Sequence, residues 1–185
     1  MSFNFYPKVV MSEFVALSML GASADQLKKI VEQMGTLPHI GNQRFRVVVD
    51  PTQITLAAQL VKDAQLPVMI ISVAGYPTGR HHTLIKASEA RLAVQSGAEE
   101  IWVSVDNTIA DSNTHLSELI AISEACPDPV QLGLIAPLSD APTHPAAHAA
   151  IQAARQAGFK RIIATQGSPA LAEAASPLEF HVVDL

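Results

Sequence analysis

Residues 70–107, IISVAGYPTGRHHTLIKASEARLAVQSGAEEIWVSVDN, constrain the fold of this chain more than any other stretch. An apolar run over 68–74 breaks at Gly75-Tyr76-Pro77-Thr78-Gly79. A helical pattern follows from about 83 to 95 and stops at Gly97, and a second apolar run over 101–105 closes on Asp106-Asn107. Strand, glycine-rich turn, helix, glycine stop and strand make one βαβ unit. Its strands must be parallel, because the helical crossover brings the chain back to the end from which it started.

The same grammar extends along the chain. Residues 14–20 are apolar enough for a first buried strand, although a helix satisfies their periodicity equally. Ser23 with Gln26 three residues on reads as a capping box, and Leu27, Ile30, Val31 and Met34 follow at helical spacing. Residues 46–50 form a β-branched run that ends at Pro51, and Thr52 is a candidate cap for a helix carrying Ile54, Ala57, Ala58, Val61 and Ala64 on one stripe. Leu116, Leu119, Ile120 and Ser123 mark a further helix, and residues 126–129 (CPDP) a turn. Residues 130–135 read as a strand, His144-Pro145 as a helix start, residues 161–164 as a strand, residues 167–169 (GSP) as the opening of a short helix, and residues 179–185 as a last strand.

Strands thus begin near residues 46, 67, 100, 130, 160 and 179, with a seventh candidate near residue 15. The expected fold is α/β: a TIM-barrel-like parallel βα repeat of six to seven strands, shortened or incomplete, since a full barrel takes about 200 residues or more. The alternative is an open, doubly wound parallel sheet. The 185 residues fit one domain, 1–185.

Composition narrows the function. Twelve Lys and Arg against 17 Asp and Glu, with no basic run, argue against a nucleic-acid partner. A single cysteine excludes an intramolecular disulfide, and the absence of an 18-residue apolar run argues against a membrane span. With no signal-peptide pattern at the N-terminus, the chain reads as cytoplasmic. No Walker, GxGxxG or GxSxG sequence occurs, so no cofactor is expected.

In either architecture ligands bind at the carboxyl ends of the strands. That places Asp50, Tyr76, Arg80, Asp106, Asn107, Thr165, Gln166, Gly167 and Ser168 as candidate substrate-binding residues. Asp50, Asp106 and Asp184 together suit a divalent cation; the competing reading, in which Asp50 and Asp106 cap turns, is preferred, and no metal is expected. Gly167-Ser168 at a helix start suits a phosphate or an ordinary cap. His82, after Arg80-His81, suits acid–base work or a solvated loop. His39, His115 and His181 show no ligand spacing, His144 and His148 at i, i+4 on an expected helix read as helix-surface residues, and Cys126 lacks a cationic neighbour that would activate it.

From about residue 46 to 167 the chain resembles the deoxyribose-phosphate aldolase family. Tyr76-Pro77-Thr78-Gly79 stands at that family's Phe-Pro-x-Gly turn. Lys86, Glu89 and Ala90 fall at its Lys-x-x-Glu-Ala positions, and residues 97–101 (GAEEI) match its Gly-Ala-Asp-Glu-Ile. The resemblance implies a (β/α)8 barrel and cleavage of 2-deoxyribose 5-phosphate through a lysine Schiff base, a lyase step in deoxyribonucleotide and carbohydrate catabolism. Aligned on Gly167, however, the family's Schiff-base lysine falls on Ile163 and its aspartate on Trp102. Isoleucine has no amine with which to form a Schiff base. Lys28, Lys29, Lys62 and Lys86 lie on expected solvated helix faces, Lys160 at the strand end away from the mouth, and Lys8 is unplaced.

The expectation is therefore a diverged, shortened aldolase-like protein. It acts on a small aldehyde or sugar phosphate without the family lysine, or alternatively serves as a non-catalytic ligand-binding or assembly protein. Its partners are a small, phosphorylated or unphosphorylated ligand and a second copy of the chain in a homo-dimer covering the exposed strand edges of an incomplete barrel.

Overall fold

The computed structural model describes residues 16–36, 45–136, 144–167 and 169–185. Seven strands alternate with six helices: β1 (Ala16–Ser18), α1 (Ala24–Met34), β2 (Phe45–Val49), α2 (Ile54–Asp63), β3 (Val68–Ala74), α3 (Thr83–Gln95), β4 (Glu100–Ser104), α4 (Ser112–Ala125), β5 (Gln131–Ile135), α5 (Pro145–Gln156), β6 (Arg161–Ala164), α6 (Pro169–Ala175) and β7 (Glu179–Val182). All seven strands are parallel and lie in sequence order, each paired with the next. A doubly wound sheet reverses its strand order at a switch point. This sheet has no reversal, so the TIM-barrel-like reading holds and the doubly wound alternative falls.

The two faces of the sheet have different contents. Val47, Val49, Ile70, Ile101, Val103, Leu132, Leu134 and Ile162 alternate outward and pack under the helices with Leu27, Val31, Ile54, Ala57, Ala90, Leu119 and Ile122. Val48, Ile71, Val73, Trp102, Ile135, Ile163 and Val183 face the other way and form a separate inner cluster. The period of two along each strand sorts the side chains between the layers. Cys126 is in the outer core, where burial pushes its thiol up to about 11 and keeps it inert.

Several local expectations hold. Ser23 and Gln26 form the reciprocal capping box, and His144 caps α5 by accepting from the Ala146 N–H, with Pro145 next. Others need correction. Thr52 caps nothing: residues 51–53 make a 3₁₀ turn, and α2 starts at Ile54. His115, unassigned from sequence, is 1% exposed and its Nε2 lies 2.9 Å from the Ile109 carbonyl oxygen.

Lys86 is the largest correction. It falls on the buried stripe of α3 with Ala90 and Ala93 and is fully shielded from water. Its Nζ donates to the Gly79 carbonyl at 2.6 Å and the Ser104 carbonyl at 3.1 Å, and pairs with Glu118 at 2.6 Å. Glu89, one turn on, accepts from the Gly75 N–H at 2.7 Å. Gly79 completes the fit: at φ +69° a Cβ would lie 2.2 Å from the Val105 carbonyl carbon. The motif thus fastens the turn after β3 to the end of β4.

At the opposite, amino end of the strands a polar floor closes the inner layer. The Trp102 indole donates to Glu100 at 2.6 Å, and the other Glu100 oxygen pairs with Arg161. Arg161 also donates to Gln131 and to Glu179, each at 3.0 Å, and His181 meets Glu179 at 3.2 Å. Burial is the main cause that holds His181 below its ordinary value, with the Arg161 charge acting the same way and Glu179 opposing both. A depressed pKa contributes stability above the unfolded value of about 6.5 that is lost as pH falls.

Two outcomes follow from these contacts. Lys86→Met is expected to lower the unfolding free energy by about 3 kcal/mol in urea titrations, because it strands Glu118 and two carbonyls; adding Glu118→Gln should recover part of that loss. Separately, stability should decline between pH 7 and 5, and His181→Gln should flatten that decline in melts run across the same range.

Candidate functional site at the carboxyl ends of the strands

A cavity of about 250 Å³ opens at the carboxyl ends of β3 to β6. Its walls come from the turn after β3 (Tyr76, Pro77, Thr78, Arg80), the end of β4 (Ser104, Val105, Asn107), the end of β5 (Ile135, Ala136) and Thr165 after β6. The strands deliver these residues because parallel order aligns every carboxyl end at one rim. The Lys86 tie holds two of the four walls together by joining the β3 turn to Ser104.

Of the residues expected from sequence, Tyr76, Arg80, Asn107 and Thr165 line the cavity. Asp106 sits beside it: Arg80 Nε lies 3.4 Å from its carboxylate, and Arg80 Nη2 donates to Asn107 at 3.1 Å. Asp106 also accepts from the Thr108 N–H at 2.8 Å and hydroxyl at 2.7 Å. Those two bonds, more than the Arg80 charge, hold its carboxyl below the usual range. Asp50 is turned to the loop after β1, where it accepts from the Gly21 N–H at 2.7 Å. Gln166 and Gly167 are exposed outside the cavity walls, and Ser168 lies outside the described residues. Among the described residues no group of three or more His, Cys, Asp and Glu is placed to hold a metal ion.

Below the cavity the inner layer is apolar. Trp102 and Ile163 are both fully buried in the inner cluster with Val48, Ile71 and Val73. Trp102 pairs in register with Gly133, where a Cβ would come within 2.7 Å of the indole Cδ1. The missing side chain on β5 therefore makes room for the ring on β4. Among the described lysines, Lys28, Lys29, Lys62 and Lys160 are exposed, and Lys86 is committed to its buried pair. None lines the cavity.

Sequence reasoning missed Ser104, Val105, Ile135 and Ala136. Ser104 was within reach of it, since a residue two positions beyond an inward Trp102 on a strand must also face inward. The cavity offers three neutral hydroxyls with Tyr76 beside them, one amide and one guanidinium over an apolar base. Such a set binds and orients a polar molecule through hydrogen bonds.

No protein-family model matches the chain. It is similar to the deoxyribose-phosphate aldolase of Corynebacterium jeikeium, 43% identical over 97 residues that cover 48% of this chain and 38% of that protein. The aldolase of Corynebacterium glutamicum is 46% identical over 77 residues, covering 40% and 35%. The matched stretch thus spans well under half the length of either relative. In structure, the chain is similar to the deoxyribose phosphate aldolase of Aeropyrum pernix, described as a tetramer, with TM-score 0.70, 20% identity, and coverage of 91% of this chain and 73% of that one. An aldolase called QR15 gives TM-score 0.72, 20% identity, and coverage of 93% and 80%. With the fold shared across nine-tenths of its length and the sequence similar over about half of it, the chain resembles the deoxyribose-phosphate aldolases in fold throughout and in sequence over part of its length.

Proposed function

We propose that this protein binds a small polar molecule at the carboxyl ends of its strands and does not carry out aldol cleavage through a lysine Schiff base. One observation carries this reading: the residue at the position that the resemblance gives to the family's lysine is Ile163, fully buried in the inner cluster with Trp102. Schiff-base formation needs a partly neutral primary amine within reach of the carbonyl carbon. The cavity walls contain no such group among the described residues. The polar lining supports ligand binding, and a sugar phosphate or small aldehyde is the class suggested by the relatives' names. Catalysis on such a compound by the cavity's hydroxyls and Arg80 is the second reading, favoured by the polar rim.

The quaternary state forms part of the same proposal. Among the described residues β1 and β7 each pair on one side only, leaving parallel edges that proteins ordinarily cover. Leu84, Ile85 and Leu92 on α3 add exposed apolar surface. A homo-dimer covering an edge, in the cytoplasm, is the arrangement we favour; no helix among the described residues is long and apolar enough to cross a membrane.

Borohydride reduction in the presence of acetaldehyde or 2-deoxyribose 5-phosphate, read by intact-mass spectrometry, should leave the protein unmodified. A lysine adduct would overturn the reading. Sedimentation at micromolar concentration should give a dimer, and a monodisperse monomer would count against the covered edge.

A further inference from the structure

We infer that the Ser104 hydroxyl is the inner anchor of a site for a compact anionic hydroxy compound, meaning a short polyol or hydroxy acid that carries one phosphate or carboxylate; the assignment rests on the ligand-binding function proposed above. Ser104 is only 3% exposed, yet its Oγ has no hydrogen-bond partner among the described residues. Buried hydroxyls are normally partnered, so one left bare at the wall of a cavity is evidence of a use outside the fold.

Its direction is set by the strand. Glu100, Trp102 and Ser104 share the inward side of β4 by alternation, and Ser104 pairs in register with Ile135, another inward residue. Both Ser104 and Ile135 line the cavity. The Ser104 backbone is held in place, because its carbonyl accepts from Lys86. The hydroxyl is therefore presented from a fixed position, as a binding group should be.

The remaining walls define what would meet it. Thr78, Thr165 and Tyr76 each donate and accept, as does the Asn107 amide, which matches the hydroxyls of a polyol. Ile135, Ala136 and Val105 give an apolar surface for its carbon chain. Arg80 is the single cation among the lining residues, which suits one anionic group. Its contacts to Asp106 and Asn107 use Nε and Nη2, and the guanidinium carries further donors. At about 250 Å³ the space lies just below the range typical of drug-sized ligands, which suits a compact compound.

Isothermal titration of wild type and Ser104→Ala with glycerol 3-phosphate, D-glycerate and glycerol tests the assignment, with thermal melts of both proteins alongside. At least one of the two anions should bind wild type, the stronger one identifying the acidic group, and glycerol should not. Ser104→Ala should weaken that binding about tenfold, the worth of one good hydrogen bond, while its melting temperature stays level or rises. Wild type that binds none of the three overturns both this site and the ligand-binding function. Equal binding by wild type and Ser104→Ala overturns the Ser104 assignment alone, as does a melting temperature several degrees lower in the variant, which marks the hydroxyl as structural. Glycerol binding as tight as that of the anions overturns the anionic element.

Discussion

A lysine ammonium shut away from water holds the middle of this sheet together. Burying a charge is costly unless partners surround it. Lys86 has three, drawn from three different places: the carbonyl of Gly79 in the turn after β3, the carbonyl of Ser104 at the end of β4, and the carboxylate of Glu118 on α4. No rearrangement of turn, strand or helix can occur without stranding that charge. The glycines around it follow from the same requirement, since a side chain at Gly75 would collide with the lysine stem and one at Gly79 with the β4 backbone. The stretch that most resembles the aldolases is thus a fastening device. Its contacts serve architecture rather than chemistry.

The inner layer is held by packing rather than by charge. A carboxylate and an amine facing one another inside a barrel need hydration or mutual pairing. Trp102 and Ile163 need neither, and they fill the same space by close packing with Val48, Ile71 and Val73. The indole N–H turns downward to Glu100, which is in turn neutralised by Arg161. Burial alone would lower the Arg161 pKa, but the Glu100 and Glu179 carboxylates outweigh it and keep the guanidinium charged. Charge sits at the floor of the layer and hydrogen-bonding groups at its mouth, with hydrocarbon between them.

Much of this was readable from the chain alone. Strand and helix positions follow from periodicity and the parallel sense of the strands from alternation. The unbroken order β1 to β7 does not, because alternation suits a doubly wound sheet equally and residues 14–20 suit a helix as well as a strand. Tyr76, Arg80, Asn107 and Thr165 reach the cavity because strand-end residues of a parallel sheet must converge. Asp50 did not, because its carboxylate found a nearer N–H at Gly21 in the preceding βα loop. The burial of Lys86 was missed although a signal existed: it lies four and seven residues before Ala90 and Ala93, on the apolar stripe of α3. The floor network had no such local signal. Glu100 and Arg161 meet across the whole of β5, and only the register of three strands brings them together.

The strand order also bears on how the chain reaches its native state. Ala16 pairs with Arg46, Glu100 with Gln131 and Arg161 with Glu179, so each sheet contact joins a strand to its immediate successor. Loop-closure entropy is then met one unit at a time, and no pairing waits for the two ends of the chain to find each other. Ordering can begin at any βα unit and spread to its neighbours, as in repeat proteins. The unit holding Lys86 and its partners supplies contacts on both of its flanks, so its ordering favours that of its neighbours.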